Sequence, residues 1–303
     1  MKQKIIIFGG SGFIGYNLIQ RLKKKNFQIT SVSRKKTKKN HLIKGIKYLY
    51  CDVSKKNDLK KIQSNYEYII NLSGNINHKN KVETFNTHYL GCKNLVNIFS
   101  KKKIKLFIQV GSSLEYGRAK VPHTENSRVK PNSNYGLAKL KATNIIKKIH
   151  QKEKFPFIVL RLYQVFGRHQ KFDRLIPYII KCALDGKNFN STEGKQIRDF
   201  LFIDDLIDLF CKILKKKNIK NGIYNVGSGK PKKIKSIIQN ILQIIKKGNP
   251  LFGKIKMRKD ESIKLYPSIL KVKKTFDWKP KTHITKGLRA TIDFYAKQKK
   301  TLN

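Results

Sequence analysis

The feature that most constrains the fold of this sequence is a short apolar segment that leads into a glycine-rich loop near the amino terminus. Residues 4–8 have the pattern of a buried strand, with a continuous apolar run over 5–8, and glycines and then a helical pattern follow. Glycines let the backbone approach a pyrophosphate, and a helix amino terminus supplies N–H donors and a positive dipole. We therefore expect a bound dinucleotide here rather than an ordinary strand-to-helix turn. The expected contacts are Gly9, Gly12, Phe13, Ile14 and Gly15.

Strand-like and helix-like segments alternate along the first half of the chain. Strand patterns lie at residues 4–8, 27–32, 46–50, 66–72, 104–110 and 157–163, and helical patterns at 13–25, 84–102 and 135–152. This alternation predicts an α/β fold with a doubly wound parallel sheet and helices on both faces. After Gln164 the pattern loosens, so we expect a cofactor-binding lobe over 1–163 and a smaller C-terminal substrate lobe over 164–303. The segment near 199–216 is expected to pack back on the first lobe.

Composition excludes several other classes of protein. Hydrophobic residues make up 39% of the 303 residues, which is enough for a core and excludes a wholly disordered chain. No apolar run approaches the ~18 residues of a membrane helix, and the first residues read as a strand rather than as a signal peptide. The four cysteines lie far apart without a CxxC pair. We therefore expect no metal site, no disulfide framework and a cytoplasmic location.

The charge of the chain is strongly positive, with 68 Lys and Arg against 18 Asp and Glu, for a net charge of +50. Nucleic-acid binders usually concentrate such charge on one face, whereas the lysines here are spread along the whole sequence. We interpret them as a solvated surface and expect no specific nucleic acid as a partner. Such a surface would still attract anionic substrates. A non-catalytic scaffold that binds RNA or DNA is the alternative.

The end of the second predicted strand bears on which dinucleotide binds. A carboxylate at that place would hold the ribose 2′-hydroxyl and select NAD. This chain has no acid there, and Ser33 and Arg34 stand where a 2′-phosphate would lie. Because arginine is scarce in this sequence, Arg34 carries more weight than a neighbouring lysine would. We expect NADP as the cofactor, with NAD as the alternative.

A tyrosine and a lysine four residues apart open the helix predicted at 135–152. Positions i and i+4 share one helix face, so the Tyr135 phenol and the Lys139 ammonium can meet. A free phenol has a pKa near ~10 and is a poor base at neutral pH, and a fixed ammonium favours its ionised form. The pair is therefore a candidate acid–base group.

Together these segments resemble the extended short-chain dehydrogenase/reductase family, in its nucleotide-sugar epimerase/dehydratase branch. The resemblance also rests on the segments at 111–117, 160–167 and 196–206, and it covers nearly the whole chain. It implies a Rossmann-type lobe, a nucleotide-diphosphate sugar as substrate, hydride transfer at the sugar C4 and a homodimer. In the same way it implies that Tyr135 and Lys139 are catalytic and that Ser112 binds the reacting oxygen.

The resemblance also implies further cofactor contacts. Asp52 and Val53 follow the third strand, where family members contact the adenine. The loop after the fourth strand matches a cofactor-lining segment through Leu72, Ser73 and Gly74. Asn86 resembles the asparagine that opens the next helix in the family. The alternatives are a turn carboxylate for Asp52 and a helix cap for Asn86.

The substrate contacts come from the resemblance as well. Arg198 and Arg258 match the arginines that grip the nucleotide diphosphate, for which a planar guanidinium fork is suited. Arg174 stands where many relatives have an asparagine near the phosphates, and Ser113 lines the pocket. Salt bridges are the alternative for the arginines.

The two positions that follow Ser112 bear on the reaction. The 4,6-dehydratases of the branch carry proton-transferring acids at these positions, whereas this chain has Ser113 and Leu114. Dehydratase activity is therefore not expected. Glu115 comes one place later, and a local salt bridge is its alternative role.

Two functional hypotheses follow. The first is an NADPH-dependent reductase of a nucleotide-linked 4-keto-6-deoxysugar, which a weaker resemblance of 175–180 and 192–200 to CDP-abequose synthase-like 4-ketosugar reductases favours. The second is a nucleotide-sugar 4-epimerase, which keeps NAD bound and returns the hydride to the other face of the sugar.

Overall fold

A fully parallel sheet of seven strands forms the centre of the molecule. The computed structural model describes residues 2–60, 62, 65–75, 80–258 and 260–302. Its strands are β1 (Gln3–Phe8), β2 (Phe27–Ser33), β3 (Lys47–Tyr50), β4 (Tyr68–Asn71), β5 (Leu106–Ser112), β6 (Phe157–Leu162), β7 (Gln164–Phe166), β8 (Asn188–Asn190), β9 (Ile197–Arg198), β10 (Phe200–Phe202), β11 (Gly222–Val226), β12 (Lys232–Lys233), β13 (Asn249–Leu251) and β14 (Lys264–Leu265). The central sheet has the order β11-β6-β5-β4-β1-β2-β3. This topology confirms the predicted doubly wound α/β class.

Helices follow most of the strands. They are α1 (Phe13–Leu22), α2 (Lys56–Leu59), α3 (Lys81–Phe85), α4 (Gly91–Phe99), α5 (Asn134–Glu153), α6 (Leu175–Leu184), α7 (Ile203–Lys215), α8 (Ile234–Ile245), α9 (Leu270–Phe276) and α10 (Ile284–Leu302). None of the helices in the described part of the chain is long and apolar enough to cross a membrane.

The two faces of the sheet carry two separate cores, because successive side chains of a strand point to opposite faces. In β1, Ile5 and Ile7 belong to the core that contains Leu18 of α1. Ile6 and Phe8 belong to the core on the other face, with side chains of α4 and α5. Strands buried on both faces read as continuous apolar runs, which is why this segment was recognisable as a strand.

The helix predicted at 84–102 begins earlier and is irregular. It starts at Lys81, and the Asn80 side chain caps it by accepting a hydrogen bond from the Glu83 N–H at 3.0 Å. A π-helical turn at Asn86–Leu90 then joins α3 to α4. Asn86 therefore lies inside the helical segment, and the cap considered for it is supplied by Asn80.

Segments from the second half of the chain complete the sheet and pack beside it. β11 pairs in parallel with β6, and α7 packs against α1. The shorter strands form small sheets of β7 with β10, β8 with β13, and β9 with β12 and β14. Helices α8 and α10 both pack against α6. Residues far apart in sequence thereby meet above the carboxyl ends of the central strands.

Candidate active site

One large cavity of about 1760 Å³ lies at the carboxyl ends of the central strands, where open α/β sheets bind their ligands. Most of the residues predicted for cofactor, catalysis and substrate line this single cavity. They are Gly9, Gly12, Phe13, Ile14, Gly15, Ser33, Arg34, Val53, Leu72, Ser73, Gly74, Ser112, Ser113, Tyr135, Lys139, Arg174, Arg198 and Arg258. The cavity is therefore continuous from the glycine loop to the arginines of the second half of the chain.

The glycine loop has the shape that a pyrophosphate requires. Gly9 has a φ of +77°, and a Cβ there would lie 2.7 Å from the Leu72 carbonyl oxygen. A Cβ on Gly15 would lie 2.4 Å from the Gly9 carbonyl oxygen. Gly12 precedes α1 without a side-chain cap, and the first turn of α1 has no acidic residue. The helix thus presents backbone N–H donors and no opposing charge, which fits the phosphates of a dinucleotide.

The end of β2 forms the part of the cavity that bears on cofactor choice. The Ser33 hydroxyl donates to the Lys35 carbonyl oxygen at 2.9 Å. Arg34 forms an ion pair with Glu83 of α3, with Nη1 and Oε1 3.0 Å apart, and both side chains are about two-fifths exposed, at 41% and 43%. Glu83 has no local sequence signal for this contact, because its carboxylate reaches the end of β2 from 49 residues further along the chain.

Two predicted cofactor contacts lie away from the large cavity. Asp52 and Asn86 line a neighbouring cavity of about 250 Å³, which Arg34 and Thr87 also border. The Asp52 carboxylate accepts hydrogen bonds from the Ser54 N–H at 2.9 Å and the Ser54 hydroxyl at 2.7 Å. This is the turn geometry considered as the alternative for Asp52.

The candidate catalytic residues Tyr135, Lys139 and Ser112 all line the large cavity. Helix α5 begins at a Ser133 cap, which accepts from the Gly136 N–H at 3.2 Å, and so places Tyr135 and Lys139 in its first two turns. Lys139 is buried, its Nζ donates to the Val110 carbonyl oxygen at 2.9 Å, and this atom lies 5.7 Å from the centre of the Tyr135 ring. Ser112, at the end of β5, lines the same cavity.

His88 is a site residue that the sequence analysis did not find. It is buried in the π-helical turn, lines the cavity and meets the Tyr135 ring edge-on, with ring centres 4.9 Å apart at 87°. Its Nε2 is 3.2 Å from the Asn75 backbone N and 3.3 Å from the Asn75 carbonyl oxygen. The apolar periodicity of the segment gives no signal for this role.

Glu115 forms a salt bridge, but its partner lies 46 residues away in sequence, so the bridge is not the local one considered as the alternative. Its side chain has no exposed surface and contacts Arg161 of β6, with Nη2 and Oε2 2.9 Å apart. Burial lowers the pKa of Arg161, but the charges of Glu115 and Tyr116 outweigh that effect and raise it overall. Leu114, by contrast, lines the cavity. The sequence did contain a signal for this ion pair, because an arginine inside an otherwise apolar strand requires a buried partner.

The three arginines predicted for the diphosphate have different environments. Arg198 is almost buried and donates to the Ile197 and Ile263 carbonyl oxygens and, at 2.6 Å, to Glu261. Burial lowers the pKa of Arg198, and Glu261 opposes that shift. Arg258 and Arg174 are more exposed, and each has an aspartate 3.7–3.9 Å away. All three reach the cavity wall, and Arg198 is held most firmly.

Metal ligands do not cluster in the described part of the chain: no three His, Cys, Asp or Glu side chains there form a group that would hold a metal ion.

The fold and site define a Rossmann-type enzyme, and the chain belongs to the NAD-dependent epimerase/dehydratase family, whose model matches residues 5–227. It is 27% identical to CDP-abequose synthase of Salmonella typhimurium, over 96% of this chain and 98% of that one. It is 24% identical to UDP-glucose 4-epimerase of Pisum sativum, over 92% of this chain and 91% of that one. A variant of UDP-glucuronic acid 4-epimerase from Bacillus cereus, solved with UDP-4-deoxy-4-fluoro-glucuronic acid and NAD, matches with a TM-score of 0.91 at 24% identity, covering 98% of this chain and 100% of that one.

The family match confirms the predicted branch and the prediction that the protein is an enzyme. The relatives carry the names of epimerases and of a CDP-abequose synthase, so the family is established while the individual reaction differs among its members. The family is NAD(P)-dependent, and the residues of the glycine loop fit such a cofactor.

Proposed function

We propose that this enzyme is an NADPH-dependent reductase of a nucleotide-linked 4-keto-6-deoxysugar. The observation that carries this choice is the end of β2, where Ser33 and Arg34 line the cavity. The strand has no carboxylate there that could accept a hydrogen bond from a ribose 2′-hydroxyl. A cation at that place suits a 2′-phosphate. The likeness to CDP-abequose synthase supports the same reading.

The catalytic residues have distinct roles in this proposal. The glycine loop and the end of β2 would hold NADPH, which when bound would supply the hydride that the C4 carbonyl carbon of the sugar accepts. Tyr135 donates its phenolic proton to the C4 oxygen, which becomes the hydroxyl of the product. Lys139, fixed by its bond to the Val110 carbonyl oxygen, stabilises the phenolate that remains, and the Ser112 hydroxyl orients the C4 oxygen. Solvent returns the proton to Tyr135 before the next turnover.

The remaining residues of the cavity position the sugar nucleotide. Arg198, with Arg174 and Arg258 nearer the rim, offers guanidinium donors to the diphosphate. Ser113 borders the sugar. Leu114 lines the cavity wall and has no proton to transfer, so dehydration at C5 and C6 is not part of the proposal.

A nucleotide-sugar 4-epimerase with bound NAD is the second candidate, and one observation favours it. Arg34 already has a carboxylate partner in Glu83 at 3.0 Å, so part of the charge that would select a 2′-phosphate is neutralised. Relatives named as UDP-glucose 4-epimerases point the same way. The same Tyr135, Lys139 and Ser112 would serve both reactions.

The larger organisation completes the proposal. Residues 1–163 would hold the dinucleotide and residues 164–303 the nucleotide sugar, with the segment near 199–216 packed on the first part. Asp52 and Asn86 would contact the adenine end through the neighbouring cavity that they share with Arg34. By resemblance to its family, the enzyme would work as a homodimer. Its widely spaced cysteines suit the reducing cytoplasm as its location.

The decisive assay follows the absorbance of reduced nicotinamide with and without a nucleotide-linked 4-ketosugar. A reductase oxidises NADPH in proportion to the ketosugar added, and the Tyr135→Phe variant should bind NADPH equally well without doing so. If a nucleotide sugar converts with no net change in nicotinamide, and the purified protein contains NAD, the reductase proposal fails and the 4-epimerase replaces it.

A further inference from the structure

The buried carboxylate of Glu115 lies next to Ser112 without lining the cavity, and three hydrogen bonds and one further ion-pair contact converge on it. Its Oε1 accepts from the Ser112 backbone N–H at 2.9 Å. Its Oε2 accepts from the Thr143 hydroxyl at 2.9 Å and from Arg161, whose Nε and Nη2 are each 2.9 Å away. Every one of these partners is itself buried.

These bonds join the elements that carry the proposed catalytic residues. Ser112 ends β5, whereas Thr143 lies on α5, one turn after Lys139 and two turns after Tyr135. Lys139 separately donates to the Val110 carbonyl oxygen of β5. Helix α5 is thus tied to the end of β5 at two successive turns, and Glu115 makes the second tie.

The surroundings of Glu115 are shaped around its carboxylate. A Cβ on Gly111, the residue that pairs with Arg161 in the β5–β6 register, would lie 2.6 Å from Glu115 Oε1. The Arg161 guanidinium also lies over the Tyr116 ring, 4.5 Å from its centre. A buried ion pair is weak evidence for stability, because desolvation offsets its attraction. What the arrangement does provide is a fixed geometry between the end of β5 and helix α5.

We propose that Glu115 is a positioning residue that sets the distance between Ser112 and the helix bearing Tyr135 and Lys139. The expected effect on the reaction rate rests on the proposed function, in which Ser112, Tyr135 and Lys139 act together on one sugar oxygen. Removing the tie to α5 should leave the binding of both ligands intact while lowering the rate of the chemical step, because small misplacements of reacting groups are costly.

The test acts on Thr143, because replacing Glu115 would leave Arg161 buried without its partner and the variant could fail to fold. Thr143→Val removes the hydroxyl at nearly constant volume and leaves Arg161 and the Ser112 N–H in place as partners of the carboxylate. Thr143→Ser is the matched control that keeps the hydroxyl. We expect Thr143→Val to lower kcat about tenfold, with both KM values and the NADPH dissociation constant within about twofold, and Thr143→Ser to retain most of the wild-type kcat. A wild-type kcat in folded Thr143→Val overturns the proposal.

A second readout separates this proposal from the proposed function. Amide hydrogen exchange across residues 111–116 should be faster in Thr143→Val than in Thr143→Ser, because a looser carboxylate protects the Ser112 N–H less. If the wild type converts no nucleotide sugar, the proposed function fails, and the exchange rates alone decide the role of Glu115. Equal exchange in the two variants would then refute it.

Discussion

The ion pair at the end of β2 gives a quantitative prediction of cofactor preference. Arg34 and Glu83 are both about two-fifths exposed, and exposed ion pairs contribute about 0–1 kcal/mol. A hydrogen bond between a guanidinium and a phosphate is worth roughly 1.5–3 kcal/mol. A 2′-phosphate can therefore displace Glu83 from Arg34 with a net gain of about 0.5–3 kcal/mol, which is about a 2- to 150-fold preference for NADPH from this residue.

Two single variants and their combination measure that preference. Arg34→Ala should weaken NADPH binding by that factor and leave NADH binding unchanged. Glu83→Gln should tighten NADPH binding by up to about fivefold, because it frees Arg34 and removes a negative charge that faces the 2′-phosphate. In the double variant the effect of Glu83→Gln should shrink, since the two residues act through one contact.

Dissociation constants for NADPH and NADH, measured by fluorescence titration of each variant, provide the assay. Ser33→Asp combined with Arg34→Ala should reverse the preference, because it supplies an acceptor for the 2′-hydroxyl and deletes the cation. If Arg34→Ala leaves the ratio of the two constants unchanged, Arg34 does not select the cofactor. The case for a reductase would then lose its main support.

Three further predictions concern the rest of the cavity. Tyr135→Phe should lower kcat about 10²–10⁴-fold with normal cofactor binding, and wild-type turnover would remove Tyr135 from the mechanism. Arg198→Ala should raise KM for the nucleotide sugar about ten- to a hundredfold and leave KM for the dinucleotide unchanged; an unchanged sugar KM would mean that Arg198 serves only to hold Glu261. Burial, with the charges of His41 and Arg168, lowers the pKa of His169 from 6.5 to about 4. Between these two pH values the unfolded chain therefore binds more protons at this residue than the folded chain does. His169 consequently makes the free energy of unfolding rise with pH over this range. His169→Asn, which tolerates the positive φ of 67° at this position, should flatten that rise in denaturant unfolding measured between about pH 4 and pH 6.5, and an unchanged slope would contradict the assignment.

The elements that could be predicted from the sequence are those whose signal is local. β1 is apolar on both faces, and the glycines of the loop after it let the backbone approach a pyrophosphate. Both features lie within about a dozen residues, so both could be predicted from the sequence. The helix containing Asn86 was placed wrongly at its start, because its cap, Asn80, precedes the apolar periodicity. The π-helical turn that brings His88 against Tyr135 has no sequence signature of this kind.

Contacts between distant segments explain what the sequence could not show. Asp199 belongs to a segment recognised only as a family mark, yet its carboxylate accepts the Ser228 N–H at 2.5 Å and the Gly229 N–H at 2.7 Å. Asp205 likewise accepts the N–H groups of Lys281 and Thr282, at 3.0 and 3.1 Å. These carboxylates hold the backbone of other segments in place and do not line the large cavity, and burial raises the pKa of Asp199. Only the folded chain shows which role each one has.

Acidic residues are scarce in this chain, with 18 against 68 basic residues, and two of them form ion pairs with arginines that line the cavity. Glu83 holds Arg34 at 3.0 Å and Glu261 holds Arg198 at 2.6 Å. In the proposed function, a ligand phosphate would have to displace a carboxylate from each of these two arginines. An anion with few oxygens would gain little from that exchange, whereas a ligand with several phosphate oxygens would gain more. The side chains of Glu261 and Arg198 are 20% and 6% exposed, whereas those of Glu83 and Arg34 are about two-fifths exposed. Because solvent screens the inner pair less, selection by carboxylate competition should be stronger at the proposed sugar-diphosphate end than at the 2′-phosphate end. The nucleotide-sugar site is therefore expected to be the more discriminating of the two, whichever nicotinamide cofactor the enzyme uses.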